Sequence, residues 1–228
     1  MRDRTLIKRF FNHLFLFLMN KKEELDIIAG EVSKCALCPL SKSRTNTVPG
    51  SGDPDADILF VGEAPGEKED LAGIPFCGAA GKFLDEMLAS IGLTREKVFI
   101  LNTVKCRPPG NRDPEDTEKE ACKSYLNRQL EIIKPKLIVC LGRHSCNTFI
   151  PAAGGISKLH GKAVKRPNGQ VYFALYHPAA ALHNGGLRGT LMDDFKKVPA
   201  VLKKIKEQET KGNIKPDNDD KPIQTKLI

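Results

Sequence analysis

The sequence predicts an α/β fold: a three-layer α/β/α sandwich with a central, mainly parallel four-stranded sheet. Two observations carry that expectation. Short apolar runs alternate with helical stretches, which argues for a parallel sheet covered on both faces. The chain has 228 residues, 40% of them hydrophobic and 28% charged, which fits one domain with a substantial core.

The elements follow in order. Residues 22–34 have helical apolar spacing and end at the Cys35–Cys38 turn. ADILFVG (56–62) is a short buried strand closed by glycine, and AGKFLDEMLASIG (80–92) is an amphipathic helix. VFILNTV (98–104) is a second strand. Residues 113–135 form a long helix with Asp113 as N-cap, Pro114 at its first position and acids in its first turn. KLIVCLG (136–142) is the third strand, followed by a short helix over RHSCNTFI. QVYFALYHP (170–178) is the fourth strand, and residues 191–208 form a last helix bent at Pro199.

The ends of the chain read differently. MNKKEELD, from Met19, reads as a natural first helix, so residues 1–20 are expected to be an extension or a start-site artefact. The functional domain is expected over 21–206 and a disordered tail over 207–228. The apolar run LFLFLM (14–19) is too short to span a bilayer, and no membrane association is expected. Seven cysteines without a clear secretory signal argue against a disulfide framework and favour a reducing, cytoplasmic location. The net charge of +8 favours a polyanionic partner without establishing one.

Four of the cysteines are spaced like metal-cluster ligands: Cys35-x2-Cys38, then Cys106 and Cys122. Four thiolates suit zinc or an iron–sulfur cluster. The absence of a second Cys-x2-Cys pair disfavours a zinc ribbon, so a [4Fe–4S] cluster is the preferred expectation. Such ligands would tie the N-terminal segment to the middle of the sheet, for which a structural role suffices. Cys140 lies in an apolar strand and reads as core, and nothing in sequence pairs with Cys77.

Three loops begin where strands end, the position at which open α/β sheets bind ligands. They carry GEAPGEKED (62–70), LNTVKCRPPGNRDP (101–114) and YHPAAALHN (176–184), and they bring Glu63, Asn102 and His177 towards one crevice. Asn102 offers a donor and an acceptor, as reading an amide-like base edge requires. Phe76, in GIPFCGAAGKF, can stack on a flat ring. A Walker A loop is excluded, because Gly81-Lys82 is followed by Phe83 rather than Ser or Thr.

From about Lys22 to about Lys204, the four cysteines and these motifs resemble the family 4 uracil-DNA glycosylases, the iron–sulfur type of archaea and thermophilic bacteria. The resemblance implies a monofunctional glycosylase that flips uracil out of DNA and hydrolyses its N-glycosidic bond, the first step in base excision repair of deaminated cytosine. It implies that Phe76 stacks on uracil, Asn102 reads its Watson–Crick edge, and His177 donates to O2 of the leaving base. Gly62 and Glu63 would line the pocket, and Leu182 would fill the vacated base stack. Cys35, Cys38, Cys106 and Cys122 would hold the cluster. Family 1 enzymes place an aspartate where this chain has Ala64, so the attacking water falls to Glu63, Glu69, Asn111 or backbone. Related families carry GDAPG in place of GEAPG.

The partner expected is uracil-containing DNA, bound by a monomer. The C-terminal Gln224–Ile228 segment resembles half of a sliding-clamp-binding peptide without its aromatic anchor, which leaves a weak clamp contact open. The competing reading is a non-catalytic iron–sulfur DNA-binding or polymerase-associated module; Phe76, Asn102 and His177 argue against it.

Overall fold

The computed structural model describes residues 19–151 and 155–212. Residues 1–18 of the expected 1–20 extension, the tail beyond Gly212 and the clamp-like Gln224–Ile228 segment lie outside the described residues.

The chain enters through α1 (Lys21–Ser33), whose N-terminus is closed reciprocally: the Asn20 side chain accepts from the Glu23 N–H, and the Glu23 carboxylate accepts from the Asn20 N–H. A two-residue strand β1 (Ser51–Gly52) precedes β2 (Ile58–Gly62), the short helix α2 (Glu67–Ala72) and α3 (Ala79–Ser90). Next come β3 (Phe99–Asn102), α4 (Asp116–Ile133), β4 (Leu137–Leu141) and α5 (Arg143–Phe149). After α6 (Ile156–Leu159) the chain forms β5 (Lys162–Lys165) and β6 (Val171–Leu175). It ends in α7 (Pro178–His183), α8 (Gly186–Phe195) and α9 (Val198–Gly212).

The sheet has six strands in the order β1-β3-β2-β4-β6-β5, which corrects the expected four. The four expected strands are its parallel centre, β3-β2-β4-β6. The two additions are antiparallel edges, β1 on β3 and β5 on β6. Neither edge carries a continuous apolar run: β1 is two residues long, and β5 has two buried residues, Ala163 and Val164, between exposed lysines. The central strands are buried on both faces.

Two cores account for that burial. On one face Phe60, Ile100, Val139 and Phe173 pack against Phe83, Leu84 and Met87 of α3, with Leu191, Phe195 and Val198 beyond them. On the other face Leu59, Val61, Leu101, Ile138 and Cys140 pack against Leu25 of α1, Leu126 and Ile133 of α4, and Cys146 of α5. Helices therefore cover both faces, as three layers require.

Three boundaries differ from expectation. Asp113 does not cap α4, which begins at Asp116 after Glu115. The Glu118 carboxylate accepts from the Glu115 N–H at 2.8 Å and from the Arg112 guanidinium at 2.7 Å, which fixes the start there and frees Asp113. The last helix is not bent at Pro199: α8 stops at Phe195 and α9 restarts with Pro199 in its first turn, where a missing N–H costs nothing. Helix α9 runs to Gly212, beyond the 207 boundary expected for the tail. Among the described residues, no helix is long and apolar enough to cross a membrane.

Candidate active site and metal centre

The parallel register places Gly62, the last residue of β2, beside Asn102, the last residue of β3. A Cβ on Gly62 would lie 2.3 Å from Asn102 Oδ1 and 2.7 Å from Phe76 Cζ, so only glycine lets the three groups meet. Asn102 is 2% exposed, and its Oδ1 is a buried acceptor without a hydrogen-bond partner. A buried polar atom left unpaired costs about 1–3 kcal/mol, a cost characteristic of groups reserved for a ligand.

Phe76 holds a left-handed backbone conformation, φ 52°, uncommon for a bulky residue. Arg95 fixes it by donating to the carbonyls of Phe76 and Pro75 while pairing with Asp85 on α3 at 2.6 Å. The Phe76 ring lies 5.5 Å from the His177 ring, with 27° between planes. His177 caps α7: its Nδ1 accepts from the Ala179 N–H at 3.1 Å. Nδ1 is thus a lone pair, and the ring proton sits on Nε2. Enclosure of the ring pushes His177 down to about 4, so the imidazole is neutral near pH 7.

Phe76, Asn102 and His177 line one cleft of about 410 Å³, together with Glu63, Ala64, Pro65, Gly66, Glu69, Asn111, Asp113 and His183; Gly62 is not among its lining residues. The structure brings Glu63, Glu69, Phe76, Asn102, Asn111 and His177 together around it. Glu69 is committed on one side, since its Oε1 accepts from the Gly78 N–H at 3.0 Å and ties α2 to the start of α3. Asn111 stands at the exposed rim, φ 56°, its Oδ1 accepting from Arg107 Nε at 2.7 Å. Leu182, on α7, is 47% exposed and does not line the cleft.

Glu63 is the carboxylate with the most perturbed environment. Burial, reinforced by the charge of Asp113, pushes its carboxyl up to about 7. Its Oε1 is buried without a hydrogen-bond partner. His144 of α5, which sequence reasoning missed, approaches it with Nδ1 at 3.5 Å. His144 Nε2 lies 3.0 Å from Asp113 Oδ2, and the Arg143 guanidinium lies 3.1 Å from the same oxygen. Burial lowers His144 against the opposing pull of Asp113. No short-range motif signals this group; its members come from three separated segments.

The four cysteines of the expected metal site line a second pocket, with Arg44, Lys105 and Tyr125. None forms a disulfide. Arg44 donates to Cys106 Sγ at 3.2 Å. Lys105 is fully buried, and its Nζ donates to the carbonyl of Asn102 at 2.8 Å. Among the described residues Lys105 has no carboxylate partner, and Cys122 is the group that opposes the fall of its pKa to about 8. Two cations beside four sulfurs fit a site whose thiols become thiolates on metal binding. The only group of three or more metal-ligating side chains within 4.8 Å of one another, among the described residues, is Glu63, Asp113 and His144. Lys105 bridges the cysteine site and Asn102, a link the sequence did not reveal.

Comparison with known proteins agrees. Residues 49–203 match the family model described as Uracil DNA glycosylase superfamily. The chain is 52% identical over 184 residues to the type-4 uracil-DNA glycosylase of Sulfurisphaera tokodaii, covering 77% of this chain and 84% of that protein. It is 53% identical over 183 residues to that of Archaeoglobus fulgidus, covering 77% and 92%. The type-4 enzyme of Thermotoga maritima is 40% identical over 190 residues, covering 82% and 99%.

Proposed function

We propose the following mechanism from the premise that this chain belongs to the uracil-DNA glycosylase superfamily and, within it, groups with the type-4 enzymes. The protein is a uracil-DNA glycosylase: it hydrolyses the N-glycosidic bond of uracil in DNA and so initiates base excision repair. The observation that carries the mechanistic reading is the unpartnered Oδ1 of Asn102 at the floor of the cleft, under the Phe76–His177 pair.

The target bond is inaccessible in a duplex, so the nucleotide is flipped out at a cost of a few kcal/mol. The uracil ring stacks on Phe76. Its N3–H donates to Asn102 Oδ1, while the Asn102 amide donates to O4. Cytosine presents an acceptor at N3 and an amine in place of O4, so it would leave the buried Asn102 groups unpaired. As the C1′–N1 bond stretches, negative charge grows on uracil. His177, neutral and protonated on Nε2, donates to O2 and stabilises that charge without reorganisation. Glu63 accepts a proton from the water that attacks C1′. Its carboxyl at about 7 is suited to take up a proton at neutral pH. Glu69 and Asn111 shape the water side of the cleft, and exposed Leu182 fills the vacated stack.

Cys35, Cys38, Cys106 and Cys122 would hold a [4Fe–4S] cluster, which when bound supplies a structural tie between the N-terminal segment and β3. The protein is read as a cytoplasmic monomer. The non-catalytic alternative leaves the strained Phe76 and the orphaned base-reading amide of Asn102 unexplained.

The test is cleavage of a labelled oligonucleotide containing one uracil, developed with hot alkali. Alkali-dependent cutting at uracil, absent with cytosine and reduced by at least about a hundredfold in Asn102→Ala and His177→Ala, is the expected result. Full activity in both variants would overturn the assignment of roles.

A further inference from the structure

We propose that Lys105 is a positioning residue that couples the cysteine site to uracil reading: with Cys106 and Cys122 fixed as ligands, Lys105 holds the peptide from which Asn102 aims at the base. The inference rests on the reading of Asn102 as the base reader and of the four cysteines as metal ligands.

Residues 102–106 are buried throughout, so the polar groups of this turn depend on partners within the protein. The Thr103 N–H donates to the Gly62 carbonyl at 3.1 Å, and the Val104 N–H donates to that of Glu63 at 3.1 Å. The Asn102 carbonyl beside them therefore points to the opposite edge of β3, where β1 pairs only with Phe99 and Ile100. Lys105 Nζ fills that gap, donating to the carbonyl at 2.8 Å. The bond holds the Asn102 peptide plane, and with it the direction of the side chain whose buried Oδ1 is unpartnered. A base-reading group must be held to within about 0.5 Å by such supporting bonds.

The rest of Lys105 belongs to the cysteine site. It lines the same pocket as all four cysteines and immediately precedes Cys106. Its backbone N–H and its ammonium both face Cys122 on α4. Its carbonyl accepts from the Val48 N–H at 2.8 Å. An ammonium is a costly group to bury for one bond to a carbonyl, and an apolar side chain would fill the same space. Negative charge on neighbouring thiolates, which the cysteines carry as metal ligands, accounts for a lysine here. Loss of the metal would loosen Cys106 and Cys122, and so both anchors of Lys105.

Coupling between two sites is reciprocal. A uracil ring bound to Asn102 therefore helps the protein to keep its metal. Cytosine, which mismatches the Asn102 amide, gives no such help.

The experiment uses the full, metal-loaded chain and two oligonucleotides that differ at one nucleotide, an uncleavable 2′-fluorodeoxyuridine or a deoxycytidine. Affinity for each, iron content, and iron retained against a ferrous chelator are measured for wild type, Lys105→Met and Asn102→Ala. In wild type the uracil oligonucleotide is expected to slow iron loss about tenfold relative to the cytosine one, within the range of about 5–150-fold found for coupled sites. In Lys105→Met, which keeps the length of the side chain and removes the ammonium, iron content is unchanged and the two oligonucleotides protect equally. Its preference for uracil falls about tenfold, through weaker binding of the uracil oligonucleotide alone. A lysine that only supports the fold would lower the Tm and leave both ratios at their wild-type values, and that result would overturn the coupling. Equal iron loss with both oligonucleotides in wild type would overturn it as well, whether or not Lys105→Met folds with its metal. If wild type binds no iron, the metal reading fails first; if Asn102→Ala keeps the uracil preference, the base reading fails first. The coupling falls with either.

Discussion

Asn102→Leu separates stability from activity at one position. The side chain is buried and its Oδ1 has no partner, so the folded protein carries an unpaired polar atom. Leucine has nearly the same shape, and the backbone carbonyl that receives Lys105 Nζ at 2.8 Å is untouched. Replacing an orphaned buried acceptor by an apolar group removes part of a cost of about 1–3 kcal/mol. A gain of about 1–2 kcal/mol in a domain of this size raises the Tm by about 2–8 °C. The same substitution removes the groups that read uracil N3 and O4. Loss of one preorganised polar contact costs about 2.7–4 kcal/mol in the transition state, a rate decrease of about 10²–10³. Thermal unfolding and single-turnover uracil release, measured on one preparation, test both halves. A variant that is inactive but also less stable would show that Asn102 is satisfied in the free protein. A variant that keeps more than about a tenth of the rate would show that it does not read the base.

Two further outcomes follow from the metal site and from His177. Cys122→Ala removes one of the four sulfurs lining the second pocket, so the metal content and the Tm of the metal-loaded protein are both expected to fall; unchanged metal content would refute its place among the ligands. His177 is held near 4 in the folded protein by burial, whereas an exposed imidazole has a pKa of about 6.5, so the unfolded chain binds more protons between those values. Its stabilising contribution is complete above about pH 6.5 and is lost as pH falls towards 4. In denaturant melts wild type should therefore lose stability relative to His177→Phe as pH falls from about 6.5 towards 4, and a constant difference across pH would refute the neutral ring.

Much of this was legible in the sequence. The central strands are continuous apolar runs because both their faces are covered, and β2, β3 and β6 end in loops whose residues line the cleft. The edge strands were not legible, because a two-residue strand and a half-exposed one leave no run to detect. Asp113 was misread as the helix cap because Pro114 follows it, a local signal that Glu118 overrides by bonding both Arg112 and the Glu115 N–H.

The sequence by itself determined the fold class and the motif residues, because each is encoded by neighbours within a few positions. Only the tertiary structure decided that Lys105 spans from the cysteine site to Asn102, that Gly62 must lack a side chain to admit Asn102 and Phe76, and that His144 and Asp113 stand behind Glu63. Those contacts depend on the strand order β3-β2-β4-β6. That order sets β2 between β3 and β4, and so brings the segments that follow β3 and β4 to either side of Glu63, at the end of β2. Hydrogen bonding within an element is local and leaves a periodic trace in the chain; the meeting of side chains from separate strand ends is not, and leaves none.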